Sequence, residues 1–129
     1  MVGDNDSNQM VVKREIEIEA VPEEVWEAVT DAERWLGEEV DAPDGLEPGS
    51  EFVVRDDDGE RHGRVEAADA PGRLVWWWWR EDEPATRVEV LVVAAPAGAR
   101  VVVVESLPAA GWTMRLQLLA GAARALVAA

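Results

Sequence analysis

The chain has 129 residues, 48% of them hydrophobic, no cysteine, and a formal charge of −15 at pH 7. This is enough for one domain with one core; it rules out disulfides, thiolate metal sites and cysteine nucleophiles, and it sets the surface against nucleic acid phosphates and anionic lipid headgroups. No apolar stretch reaches the roughly 18 to 20 residues needed to cross a bilayer, and the first residues lack the basic flank and apolar run of a signal peptide, so a soluble, cytoplasmic protein without membrane or nucleic acid partners is expected.

Residues 1 to 10 are polar and aperiodic, which predicts a disordered tail ahead of a single domain over residues 11 to 129. From Val12 the pattern alternates. Val12, Ile16, Ile18 and Ala20 share one face, and Lys13, Glu15, Glu17 and Glu19 share the other, as in a half-buried strand. Arg14 falls on the apolar face near the strand's start, where its head can still reach water. The period then changes. Pro22 suits a first helical turn, Glu23 and Glu24 complement the helix dipole, and Val25, Trp26, Ala28 and Val29 form an apolar stripe. Asp31 is placed to cap a second short helix carrying Trp35 and Leu36. Residues 37 to 50, rich in glycine, proline and acids, read as a loop.

Five strands follow in a meander, over residues 51–56, 61–69, 73–81, 86–94 and 100–106, separated by Asp-Gly, Pro-Gly and similar turn signals. From about Gly111 the chain turns helical, with Trp112, Leu116, Leu119, Ala123 and Leu126 at spacings of three and four. One strand, two short helices, an antiparallel meander and a terminal helix define an α+β domain.

This order resembles the helix-grip fold of the START-like superfamily, also called SRPBCC, which includes the birch pollen allergen. The segment "REIEIEAVPEEVWEAVTDAERW" is similar to that family's opening strand and first helices, with Pro22, Val25, Trp26, Thr30 and Trp35 at matching places. "GRVEAADAPGRLVWWWW" and "GARVVVVES" resemble segments of the branch formed by homologues of the heat-shock protein 90 ATPase activator. The resemblance implies a curved antiparallel sheet of about six strands around a long C-terminal helix, with two short helices after the first strand. It also implies a cavity between sheet and helix that takes a hydrophobic small molecule, with no cofactor.

Within that frame, matching the tryptophan run to the branch points Leu74, Trp76 and Trp78 inward and Val75, Trp77 and Trp79 outward. Val88, Val90, Val92, Val101, Val103 and Glu105 point inward on the next two strands. The expected ligand-contacting set is Trp26, Trp35, Phe52, Trp76, Trp78, Val90, Val103, Glu105, Trp112, Leu116 and Leu119, a lining that suits a planar or aliphatic molecule. Large aromatics also serve simply as core, and each tryptophan taken alone is expected to do so first.

Glu105 ends an otherwise all-valine strand. In an apolar interior its carboxyl would titrate high and could act as acid, base or acceptor; the favoured expectation is a hydrated cavity mouth, or a pair with Arg14 or an arginine of the last helix. His62, the one histidine, is expected to face outward. The acids of residues 55–61 form a hairpin turn and lack EF-hand spacing, so no metal site is expected. Binding of a small apolar or aromatic molecule is the leading reading. A protein-interaction module, either co-chaperone-like or a homodimer through Trp77 and Trp79 on the outer sheet face, is the second. A cyclase or hydrolase using Glu105 is the third, disfavoured by the lack of convergent titratable groups. The last helix, charged only at Arg115 and Arg124 and apolar most of the way round, adds weight to association.

Overall fold

Alternating valines and acids leave the chain little choice but to build a sheet with one dry face. In the computed structural model, which describes residues 12–57, 59–106 and 112–128, that sheet has seven antiparallel strands. They are β1 (Val12–Ile18), β2 (Glu39–Asp41), β3 (Glu51–Asp56), β4 (Gly59–Asp69), β5 (Arg73–Trp79), β6 (Thr86–Ala95) and β7 (Gly98–Glu105), with β1 beside β7 and the rest in a meander down to β2. Between β1 and β2 lie helix α1 (Pro22–Thr30) and a 3₁₀ turn (Ala32–Arg34); helix α2 (Trp112–Ala128) ends the chain. The expected tail lies outside the described residues, as do the side chains of residues 112–114 and 125–128.

Two local expectations change. β2 forms inside the stretch read as loop, where Glu39, Val40 and Asp41 pair with Arg55, Val54 and Val53. Three residues are too short a run to show a period. The second short helix is a single 3₁₀ turn, and Asp31 does not cap it by a side-chain hydrogen bond; its carboxylate meets Arg34 at 3.0 Å instead. Trp35 follows directly, fully buried, and its indole N–H donates to the Val29 carbonyl at 3.0 Å, satisfying a carbonyl left open at the end of α1.

α2 packs against α1, β1 and the 3₁₀ turn, and its Leu116, Leu119, Ala120 and Ala123 join the inward side chains of the sheet in one core. Gly63 makes room within that core. It lies opposite Phe52 on one side and Trp78 on the other, and a Cβ there would stand 2.3 Å from the Phe52 ring. Between Val65 and Ala67 the β4–β5 register slips by one residue, so Glu66 is the extra member of a bulge.

Candidate functional site

The inward face of β5 carries the aromatic centre. Trp76 stands edge-on to Phe52 (centroids 6.2 Å, planes 79°) and to Trp78 (5.6 Å, 76°), the preferred T-shaped geometry for aromatic pairs. Trp35, Phe52, Trp76 and Trp78 are each at most 2% exposed, and Val90, Val103, Leu116 and Leu119 are buried with them. Trp26 is half-buried at the edge of the same core. Trp112 opens α2, but its side chain lies outside the described residues.

At one end of this apolar stack the interior becomes polar. Glu105 is only 2% exposed, and its Oε2 accepts from the Trp78 indole N–H at 2.7 Å and from the Thr86 hydroxyl at 2.5 Å. The expectation of a hydrated carboxylate at the cavity mouth is therefore corrected. Glu105 is the last residue of β7, yet β7 is an interior strand at that level, with Val12 of β1 on one flank and Val88 of β6 on the other. Arg14 is not its partner; that side chain is exposed and donates to the Lys13 carbonyl.

The arginine that matters here comes from α2. Arg115 is 7% exposed; its Nε donates to the Leu36 carbonyl at 2.9 Å and its Nη2 to Asp56 at 3.2 Å. Its guanidinium lies 5.2 Å from the Trp78 ring centroid, and that of Arg61 lies 5.0 Å from the same ring. Arg61 also approaches Asp56, at 3.7 Å. Burial pulls the Arg115 guanidinium below its usual range and the neighbouring Arg61 adds to this, while Asp56 and Glu105 oppose it. Trp78 thus sits within one charged cluster of Asp56, Arg61, Glu105 and Arg115, drawn from four different elements.

Sequence reasoning missed Asp56, Arg61 and Thr86 as site members, and reached Arg115 only as one of the last helix's arginines that could pair with Glu105. A signal did exist: Arg61 alternates in phase with Gly63 and Val65, and Arg115 is four residues from Leu119 on a nearly uncharged helix.

The outer face is partly apolar and partly ionic. Trp77 and Trp79 are 40% and 36% exposed, and His62 is exposed beside them. The Trp77 indole N–H donates to Glu66 at 2.9 Å, and Arg87 reaches the other oxygen of that carboxylate at 3.1 Å. The Arg87 and Trp77 hydrogen bonds hold the Glu66 carboxyl below the ordinary range. Val75, also on this face, is fully buried; it lies opposite Glu89 of β6, which pairs with Arg73 of Val75's own strand at 2.7 Å. Among the described residues no group of His, Cys, Asp and Glu could hold a metal ion, and no helix is long and apolar enough to cross a membrane.

Comparison with known proteins gives this fold relatives. Solved structures share the fold. Protein MLL2253 from Mesorhizobium loti has 21% identity and a TM-score of 0.75, over 89% of this chain and 97% of its own. CalU16 from Micromonospora echinospora has 22% identity and a TM-score of 0.68, over 92% and 77%. DynU16, a protein in the dynemicin biosynthetic locus, has 25% identity and a TM-score of 0.68; the match takes in 92% of this chain and 47% of that one, about half its length. No curated protein matches significantly. A family model described as "Activator of Hsp90 ATPase homolog 1-like protein" matches residues 19–125, nearly the whole described domain, and the chain belongs to that family.

Proposed function

We propose that the protein binds a small apolar or aromatic molecule between the inner face of the sheet and α2, with the Trp78–Glu105–Arg115 end orienting it. The observation that carries this reading is the charged cluster set into an otherwise apolar interior. Buried ion pairs are weak contributors to stability, because desolvation offsets most of their attraction. Recognition gives such a cluster a better reason to exist: a few fixed polar groups among indoles and valines is how small-molecule sites obtain specificity. The family's fold, which commonly holds hydrophobic ligands, supports the same reading. DynU16 adds the setting of a biosynthetic locus for one relative.

Native mass spectrometry of the protein as purified, with titration of the neutral probe N-phenyl-1-naphthylamine, tests this. A co-purifying small molecule or saturable one-to-one probe binding is expected. Absence of both removes the reading.

Exposure of Trp77 and Trp79 favours a second reading, self-association through the outer face. Burying that face would also desolvate Glu66 and Arg87, which places it second. Sedimentation of the parent and of Trp77→Ser/Trp79→Ser separates the two: a parent dimer lost in the variant supports association, and a monomer in both forms removes it.

A further inference from the structure

On the outer face of the sheet, where β5 ends beside β4, a second group of residues lies apart from the charged interior cluster. Trp79 at the end of β5 lies directly opposite His62 of β4, and their rings stack with centroids 6.3 Å apart and planes 19° from parallel. This ledge joins two clefts. One, of about 600 Å³, is walled by Glu60, Arg80, Glu81 and Glu83; the other, of about 210 Å³, runs from the same two rings towards Asp41 and Glu51. Glu60 is engaged by Arg55 at 2.8 Å and His62 at 3.3 Å, and Arg80 has a contact of its own. Glu81 and Glu83 form no ion pair among the described residues.

We infer that this ledge binds a small organic cation, an alkylammonium or guanidinium group carried on an apolar body. The exposed indole offers the negative face of its quadrupole to a cation and its area to an apolar group. Glu81 and Glu83 supply the opposite charge at the rim, and the chain's net charge of −15 concentrates cations at its surface. The cleft volume falls in the range of small-molecule sites. An anionic ligand would meet three glutamates against one arginine at this rim, and a second copy would bring the same glutamates, which counts against self-association at the ledge itself.

The test uses benzyltrimethylammonium chloride and the ¹⁵N-labelled full chain, read through the seven indole N–H resonances. A saturable shift centred on Trp79 is expected, with Trp76 and Trp78 unmoved. Trp79→Ser should abolish saturation. Glu81→Gln/Glu83→Gln, which changes only exposed turn residues, should weaken binding about threefold to tenfold at low salt, with the difference shrinking in about 0.5 M salt. No saturable shift, equal affinity in both variants, or a shift centred on Trp76 and Trp78 would overturn the inference. So would binding of an arginine-rich peptide without binding of the small cation, which would make the ledge a protein-docking surface.

Discussion

Trp78 donates its indole N–H to Glu105 at 2.7 Å across the width of β6, joining two side chains that are at most 2% exposed. The bond spans 27 residues of sequence and joins the aromatic stack to the charged cluster. It fixes the Trp78 rotamer, and it offsets part of the desolvation of a carboxylate that would otherwise be expensive to bury.

Removing the acceptor should therefore be costly. Glu105→Ala leaves the buried Trp78 donor and the half-buried Thr86 hydroxyl without an acceptor and strips a compensating charge from Arg115, so a loss of about 2–4 kcal/mol is expected. Glu105→Gln keeps a carbonyl oxygen and should lose roughly half as much. Urea denaturation of both variants measures this; a loss below about 0.5 kcal/mol for the alanine form would contradict the bond's structural role.

Gly63 should not tolerate a methyl group. The added Cβ in Gly63→Ala meets the Phe52 ring at 2.3–2.6 Å, and that ring is buried against Trp76, so a destabilisation of about 1–3 kcal/mol is expected. Combining Gly63→Ala with Phe52→Leu should recover part of it, read as a coupling of about 1 kcal/mol or more in a double-mutant cycle. Additive losses would show that the strain lies elsewhere.

Gly121 behaves in the opposite way. It is an exposed position within α2, and a Cβ there meets nothing within 4 Å. Gly121→Ala should raise stability by about 0.5–1 kcal/mol through the helix propensity of alanine. A lower thermal midpoint would mean that the position is covered in solution.

The outer ion pair gives a pH signature. The Glu66 carboxyl is held below its ordinary 4.5 in the folded state, first by the Arg87 hydrogen bond and then by Trp77. Its contribution is thus present above pH 4.5 and lost as pH falls through the lower folded value. Glu66→Gln should be less stable than the parent at neutral pH and should approach it in acid, with a gap that also narrows in salt. A gap independent of pH would point to packing, not charge.

Much of the domain could be read from the chain. The division of Trp76–Trp79 into two inward and two outward rings follows from strand alternation alone, and the meander order follows from its turn signals. Three features resisted. β2 is too short to show a period and lies among prolines and glycines. The burial of Glu105 depends on which strands flank the end of β7, and no local pattern records that. Arg115 was legible only as one of two charges on α2; its direction is set by packing against the 3₁₀ turn and the end of β3, where Leu36 and Asp56 receive it.

Ligand binding inside the sheet is most directly tested by the indole N–H spectrum during titration with N-phenyl-1-naphthylamine, with resonances assigned by single Trp→Phe variants. Occupation of the interior predicts saturable shifts of Trp76 and of Trp78, whose N–H is bonded to Glu105, with Trp77 unmoved. Unchanged Trp76 and Trp78 resonances, or shifts confined to Trp77 and Trp79, would contradict it.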